Sequence, residues 1–147
     1  MKPTGKGAVT PQAAFLQFRP TDPETRKPWL PIPESFMALA VSAAAKAGYP
    51  GFCPDAGLIN RYDPGARLSS HQDKNERDFC NPIVSVSLAL PATFQFGGSQ
   101  RSDPVAKYAL HHGDVFVWGG PSRLFCHGVL VTFPPISGPL RTGIFHL

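Results

Sequence analysis

The stretch LINRYDPGARLSSHQD, residues 58–73, combines the features that predict the fold of this chain. In Leu58–Tyr62, Asn60 and Tyr62 lie on one face of a strand, because successive side chains of a strand point to opposite sides. The segment 63–65, Asp-Pro-Gly, is typical of a turn. The stretch therefore predicts a strand, a turn and a second extended segment that ends in polar residues.

The polar end of this stretch supplies side chains that bind metals. His71 and Asp73 are two residues apart, so on an extended chain they point the same way. If His127 arrives on another strand, two imidazoles and one carboxylate meet on one face of a metal, which is the ligand set of non-haem Fe(II) oxygenases. Two simpler interpretations remain open at this point: His71 and Asp73 form a hydrogen-bonded surface pair, and His127 is a core histidine.

Short apolar runs separated by glycine and proline occur along the rest of the chain and favour many strands over a bundle of helices. Lys107–Leu110 and Asp114–Trp118 flank a His-His-Gly segment and are expected to form a hairpin. Strands at this spacing are typical of a sandwich or barrel. The other predicted strands are Ile83–Leu90, Thr93–Phe96 and Arg123–Leu130.

One helix is predicted, at Glu34–Ala47, because its apolar residues repeat at helical spacing and form one stripe. Pro33 suits the first turn, and Gly48 followed by Pro50 ends the helix. The chain is thus predicted to be mainly β with one long helix, an α+β fold. The apolar stripe consists of Phe36, Leu39, Ala40, Ala43, Ala44 and Ala47.

Composition limits the class of protein. The 147 residues suit one domain, and no run of about 18 apolar residues predicts a membrane span. Met1–Thr10 lacks the apolar core of a signal peptide, so a cytoplasmic protein is expected. Cys53, Cys80 and Cys126 show no C-x-x-C spacing, and we interpret them as reduced thiols. The net charge of +4 is compatible with a polyanionic partner.

The domain boundary is expected near residue 12. Residues 1–12 are rich in glycine, lysine and threonine and are expected to be disordered. Residues 13–147 are expected to form a single domain that begins with a short strand at Ala13–Phe18. The proline-rich segment Arg19–Pro33 should then be extended, with Trp29 as its anchor to the core.

An ordered series of motifs runs from Asp22 to Leu130. On these motifs the chain resembles the AlkB family of Fe(II)- and 2-oxoglutarate-dependent dioxygenases, and the similarity is greatest to the bacterial branch that repairs alkylated DNA. Matches in this number and order are not expected from composition or from convergence of fold. The motifs are Pro28-Trp29, Ala47–Pro50, Leu58–Tyr62, Pro64–Ala66, His71–Lys74, Pro82–Leu88, Phe94–Gly98, Gly113–Val115, Val117–Gly120, Ser122–Phe125 and His127-Gly128.

The resemblance implies a double-stranded β-helix, or jelly roll, whose open end holds the metal. It implies Fe(II) bound by His71, Asp73 and His127, with 2-oxoglutarate and O2 as co-substrates. Asn60 and Tyr62 match family positions that hydrogen-bond 2-oxoglutarate, and a core tyrosine is the alternative interpretation of Tyr62.

Further family positions concern the substrate. Trp118 matches a tryptophan beside the active site, with a plain core tryptophan as the equal alternative. Arg101, Lys74 and Arg123 are candidates for contacts with phosphate or base, and a scattered solvated surface is the alternative for these cations. Asn75 stands where the repair branch commonly has an acidic residue near the base, which puts the base preference in question.

The two ends depart from the family pattern. The family's N-terminal lid, which reads the flipped base, has no obvious counterpart. The family's last strand carries two arginines that bind the carboxylates of 2-oxoglutarate, because a guanidinium fork matches a carboxylate. Here Arg141 is the only arginine after His127, and Leu147 falls where the second belongs. We therefore expect Arg141 to be the remaining anchor and the chain to be a truncated or altered copy.

The leading hypothesis is an enzyme, a 2-oxoglutarate-dependent dioxygenase that demethylates 1-methyladenine and 3-methylcytosine in DNA and so repairs alkylation damage. Its expected partner is single- or double-stranded alkylated DNA, with RNA as a further option. No membrane is involved, and the protein is expected to be a monomer. Two alternatives remain open: an impaired or inactive remnant that keeps the jelly roll, and a dioxygenase that acts on a substrate other than nucleic acid.

Overall fold

The computed structural model describes most of the chain between Thr21 and His146, with only the main chain for 142–146. The predicted disordered segment 1–12, the strand Ala13–Phe18, the turn at 63–65 and the Trp29 anchor lie outside the described residues, so these predictions and the boundary near residue 12 stay predictions. The described residues are 21, 26–28, 30–62, 66–74, 78–89, 91–130 and 142–146.

Eight strands and one α-helix make up the described part of the chain. They are α1 (Glu34–Lys46), β1 (Leu58–Tyr62), β2 (Arg67–His71), β3 (Ile83–Ala89), β4 (Ala92–Phe96), β5 (Ala106–Leu110), β6 (Val115–Trp118), β7 (His127–Leu130) and β8 (Thr142–His146). One sheet has the order β1-β8-β3-β6 and the other β2-β7-β4-β5, and every pairing is antiparallel. Two four-stranded antiparallel sheets are the architecture of a jelly roll, as predicted.

The core lies between the two sheets. Tyr62, Ile83 and Trp118 of the first sheet form one buried cluster with Phe94 and Val129 of the second. Phe94 and Val129 are completely buried. Because full burial of an apolar side chain contributes about 1.5–3 kcal/mol relative to exposure, this layer holds the sheets together.

β3 is covered on both faces, and its first five residues are all buried. Val84 and Val86 belong to a cluster with the helix. Ile83, Ser85 and Ser87 alternate with them and therefore face the interior between the sheets. A strand covered on both sides usually consists of apolar residues throughout, so the two inward serines set β3 apart.

The helix predicted at Glu34–Ala47 is confirmed as α1. Ala40 and Ala44 are completely buried, and Phe36 and Ala43 contact the same cluster. The small side chains of the three alanines allow the helix to lie close to β3 and β6. Leu39, however, is 41% exposed, so the buried face is narrower than the predicted stripe. No helix among the described residues is long and apolar enough to span a membrane.

The predicted hairpin between β5 and β6 is wrong. β5 pairs with β4 in the second sheet, whereas β6 pairs with β3 in the first. The chain crosses between the sheets where the N–H of Gly113 donates to the carbonyl of Ser87 at 2.8 Å. Gly113 has a φ of +88°, a conformation that glycine adopts without a Cβ penalty. This contact draws the chain to β3 and away from β5.

The strand predicted at Arg123–Leu130 is shorter in the structure. Only His127–Leu130 joins the second sheet, as β7. The chain before it forms a 3-10 turn at Gly120–Ser122. The irregular segment between this turn and β7 therefore decides the direction from which the strand enters the sheet.

β2 and β7 approach closely at the predicted ligands. Their pairing slips between Leu68, opposite Val129, and His71, opposite His127. Such an irregularity re-aims side chains beside a site. A Cβ at Gly128 would lie 2.7 Å from the carbonyl oxygen of Leu68. The absence of a side chain at this position is therefore what allows the two strands to meet.

Gly128→Ala is expected to destabilise the protein, because the new methyl group collides with the main chain of β2. Overpacking of this kind costs about 1–3 kcal/mol, which denaturant titration measures as a lower free energy of unfolding. Gly51→Ala is the control, since nothing lies within 4 Å of a Cβ at that position. An equally small effect of both substitutions would contradict the close contact of β2 with β7.

Candidate metal centre

Three side chains predicted as metal ligands meet at one end of the second sheet. His71 is the last residue of β2, Asp73 follows two residues later, and His127 is the first residue of β7. His71 Nε2 lies 3.4 Å from Asp73 Oδ1, and His127 Nε2 lies 3.3 Å from Asp73 Oδ2. Among the described residues, these three form the one group of His, Cys, Asp and Glu side chains spaced as metal ligands.

Both imidazoles are oriented through their second ring nitrogen. His71 Nδ1 donates to the carbonyl of Ser69 at 2.9 Å, and His127 Nδ1 donates to the carbonyl of Phe125 at 3.1 Å. Because a carbonyl only accepts, each Nδ1 carries a proton and each Nε2 of the neutral ring presents a lone pair. A main-chain acceptor behind a ligating histidine is a regular feature of metal sites.

The centre is buried on one side and open on the other. The side chain of His127 is 0% exposed, whereas those of His71 and Asp73 are 32% and 25% exposed. Burial acts to lower the pKa of His71. Its hydrogen bonds with Asp73 and the Ser69 carbonyl, and the negative charge of Asp73, outweigh burial and the positive charge of Arg101, so that the pKa of His71 is raised. The carboxylate thus favours positive charge at this point.

Aromatic rings line the buried side of the centre. The ring centroid of Trp118 lies 4.9 Å from that of His127, and the ring centroid of Phe94 lies 6.0 Å from it. Trp118 is only 3% exposed and belongs to the core cluster. The predicted position of Trp118 beside the site therefore agrees with the structure, while its contact with substrate stays a prediction.

A polar patch lies in the interior on the side of the first sheet. Asn60 and Tyr62 are 7% and 1% exposed, and the alternation of burial along β1 places them on the inner face, as predicted. Ser85 and Ser87 are each 2% exposed. Within the described residues, the hydroxyls of Tyr62, Ser85 and Ser87 have no hydrogen-bond partner. Burial raises the pKa of the Tyr62 hydroxyl well above its usual range, so the group stays protonated and can donate.

The two serines of this patch were not among the predicted site residues. A signal for them exists in the sequence, because Ser85 and Ser87 alternate with valines along β3 and therefore share one face of that strand. The run of β-branched residues around them resembles an ordinary buried strand, which is why the polar face was not recognised.

The predicted cations take different positions. Lys74 and Arg101 are exposed, and Arg101 is close enough to the first histidine to lower its pKa. Arg123 was predicted to contact phosphate or base. It is only 4% exposed, and its guanidinium donates to main-chain carbonyls, so it is not presented to a phosphate in solvent. Asn75 and Arg141 lie outside the described residues.

The geometry of the three ligands fits a divalent metal ion. Bonds of about 2.1 Å to neighbouring corners of an octahedron separate ligand atoms by about 3 Å. In the structure the nitrogen–oxygen distances of 3.3 and 3.4 Å end on different oxygens of Asp73, and one donor atom from each of the three residues lies within 4.8 Å of the others. Two imidazoles and one carboxylate suit Fe(II) and leave further coordination positions for other ligands.

Comparison with known sequences agrees with this chemistry. The sequence profile of the 2OG-Fe(II) oxygenase superfamily matches residues 8–140. The chain is 59% identical over 140 residues to the alpha-ketoglutarate-dependent dioxygenase AlkB of Escherichia coli, an alignment that covers 95% of this chain and 60% of that protein. It is 37% identical over 143 residues to the AlkB homologue of Caulobacter vibrioides, covering 97% and 63%. The chain thus spans about three-fifths of the length of these relatives.

More distant relatives support the same fold. The chain is 33% identical over 110 residues to the human nucleic acid dioxygenase ALKBH1, which covers 75% of this chain and 28% of that protein. The solved structure of OsALKBH1 superposes with a TM-score of 0.75 at 28% identity, covering 88% of this chain and 70% of that one. The predicted jelly roll and the family resemblance are confirmed.

His71→Ala and Asp73→Ala are each expected to weaken Fe(II) binding by more than about 100-fold, because loss of a ligand exceeds the effect of losing an outer partner. Anaerobic calorimetric titration measures the dissociation constant. His111→Ala is the control, since His111 lies 3.5 Å from Asp114 and outside the centre. Unchanged affinity in His71→Ala would remove that residue from the ligand set.

Proposed function

Because the chain belongs to the 2OG-Fe(II) oxygenase superfamily and, within it, to the AlkB family, we propose that it is a 2-oxoglutarate-dependent dioxygenase that demethylates 1-methyladenine and 3-methylcytosine in DNA. The observation that carries this proposal is that each of the two imidazoles, of His71 and His127, lies within 3.4 Å of the Asp73 carboxylate. The chain spans 60% of the length of the Escherichia coli relative, and its described residues include all three proposed ligands.

In this proposal the three ligands hold Fe(II) from one side. The bound iron supplies the oxidation, with O2 and 2-oxoglutarate as co-substrates. The chain's own contribution is to fix the imidazoles: the main-chain bonds of Nδ1 in His71 and His127 keep each Nε2 lone pair directed at the metal position. The buried ring of Trp118 excludes water from the side of His127.

We place 2-oxoglutarate against the polar patch of Asn60, Tyr62, Ser85 and Ser87. Their amide and hydroxyl groups can donate to a carboxylate. Hydrogen bonds to a charged acceptor are stronger than those between neutral groups, which offsets the cost of burying hydroxyls that have no partner among the described residues. Arg141, predicted from the sequence, is proposed as the cation that pairs with a carboxylate of the co-substrate.

The proposed substrate is alkylated DNA, single- or double-stranded, with RNA as a further option. The target base has to leave the stack to reach a site of this kind. Lys74 and Arg101 are exposed near the open side of the centre and can bind phosphate. Trp118 and Asn75 are proposed to contact the base. The name of the human relative, a nucleic acid dioxygenase, supports this substrate class. We further propose that the protein acts as a cytoplasmic monomer.

The activity test uses an oligonucleotide that contains 1-methyladenine. Purified protein is incubated in air with Fe(II), 2-oxoglutarate and ascorbate, and the oligonucleotide is followed by mass spectrometry. We expect loss of the methyl group, dependent on both iron and 2-oxoglutarate. Asp73→Ala should abolish the reaction, because it removes a proposed ligand, and His111→Ala should retain it.

Two outcomes would contradict the demethylase. An unchanged oligonucleotide, beside an active sample of the Escherichia coli relative, together with succinate in the same tube, would indicate a dioxygenase with a substrate other than nucleic acid. An unchanged oligonucleotide without succinate would indicate an inactive member of the family that keeps the jelly roll.

Tyr62→Phe is expected to weaken 2-oxoglutarate binding about 10- to 100-fold, since a hydrogen bond to a charged group contributes about 1.5–3 kcal/mol. The ligand-free variant should be at least as stable as the wild type, because the substitution removes a buried hydroxyl without a partner among the described residues. Calorimetry measures the affinity and thermal melting the stability. Tyr108→Phe, at a tyrosine that is 43% exposed, is the control. Lower stability with unchanged affinity would assign Tyr62 to the core alone.

A further inference from the structure

We propose that Arg123 and Gln72 are positioning residues that together lock Asp73 in place for the metal. Their hydrogen bonds connect the segment that carries His71 and Asp73 to the segment that precedes His127. This inference rests on the metal centre of the proposed function and concerns how that centre keeps its shape. It assigns to both residues a role in metal affinity that is separate from contact with substrate.

Asp73 needs support from outside the sheet. His71 and His127 lie opposite each other in the ladder of β2 and β7, which fixes their separation. β2 ends at His71, so no strand pairing fixes Asp73. Its carboxylate nevertheless lies within 3.4 Å of both imidazoles. A ligand on irregular chain keeps such a position only when neighbouring groups hold it.

Side-chain hydrogen bonds run in both directions between residues 72–73 and residues 123–124. Gln72 lies between His71 and Asp73 in the sequence, on the irregular chain that follows β2. Its Nε2 donates to the carbonyl of Leu124 at 2.5 Å and to the carbonyl of Ser99 at 2.9 Å. In return, Arg123 Nη1 donates to the carbonyl of Asp73 at 3.3 Å. The pairs 72–73 and 123–124 thus exchange hydrogen bonds just before the chain enters β7.

Arg123 is buried, and its guanidinium is held by several contacts. It is 4% exposed, and its Nε donates to the carbonyl of Asn81 at 3.0 Å. Its guanidinium carbon lies 5.6 Å from the ring centroid of Phe79. Because the guanidinium presents several donors in a rigid fork, it reaches the carbonyls of Asp73 and Asn81 at the same time. A lysine ammonium is a point donor and cannot reproduce both bonds in this geometry.

The test measures metal affinity and does not depend on catalysis. Arg123→Met keeps a long apolar stem and removes the fork, and Arg123→Lys keeps the charge. Calorimetric titration with Co(II) gives the dissociation constant. We expect Arg123→Met to raise it about 10- to 100-fold, as loss of an outer partner does at other metal sites, and Arg123→Lys to recover only part of the loss. Arg61→Met, at an exposed arginine of β1, should match the wild type.

The visible spectrum of bound Co(II) is a second readout, because it reports coordination geometry. At saturating Co(II), the spectrum of Arg123→Met should differ from that of the wild type, and the spectrum of Arg61→Met should not. Gln72→Leu should also raise the dissociation constant. If the two residues form one lock, the loss in the double variant is smaller than the product of the two single losses.

Thermal unfolding with and without Co(II) separates this role from a purely structural one. A metal that binds only the folded state raises stability by an amount set by its dissociation constant. The proposal therefore expects a smaller Co(II)-induced rise in Tm for Arg123→Met. Equal losses of Tm in both forms, with unchanged affinity, would overturn it. So would failure of both Arg123 variants to fold while Arg61→Met folds normally.

The wild-type protein distinguishes this inference from the proposed function. If the wild type binds no Co(II), the metal centre itself fails and the inference fails with it. If the wild type binds and Arg123→Met binds equally well, only the lock is overturned and the metal centre stands.

Discussion

The geometry of the metal centre depends on one carboxylate, that of Asp73, which lies between two imidazoles. The β2–β7 ladder sets His71 opposite His127, and this requires the shifted pairing near Leu68 and the bare main chain of Gly128. These features are unfavourable for a regular sheet, because a bulge interrupts the ladder and glycine adds no side-chain packing.

The two sheets carry different parts of the site. The second sheet carries the two histidines proposed as ligands, whereas the first carries the polar patch, and the aromatic layer around Phe94 joins the two. Polar groups on the inner face of β3 contribute little apolar burial, so that strand needs stabilisation from its other side. Val84 and Val86 supply it by packing against α1. The helix thus stabilises, from the outside, the strand that carries the polar interior.

Local patterns in the sequence were sufficient to predict β1, the inner face shared by Asn60 and Tyr62, and the meeting of His71, Asp73 and His127. Alternation and the H-x-D spacing are properties of any extended chain. Pairing is not local: main-chain bonds of Gly113 and Asp114 with Ser87 accompany the crossing of the chain from β5 in one sheet to β6 in the other. The setting of Arg123 was equally hidden, since its acceptors are carbonyls 42 and 50 residues away. Because every residue has a main-chain carbonyl, the sequence does not show which carbonyls accept hydrogen bonds from Arg123.

The position of β7 late in the chain has a consequence for how the protein matures. Among the described strands, β2 pairs only with β7, so in a nascent chain that has emerged as far as β6, His71 lies at the end of a strand with no neighbour and His127 is still missing. A metal site of this kind does not exist in an unfolded chain. The proposed iron site is therefore complete only in copies whose synthesis and folding have passed β7.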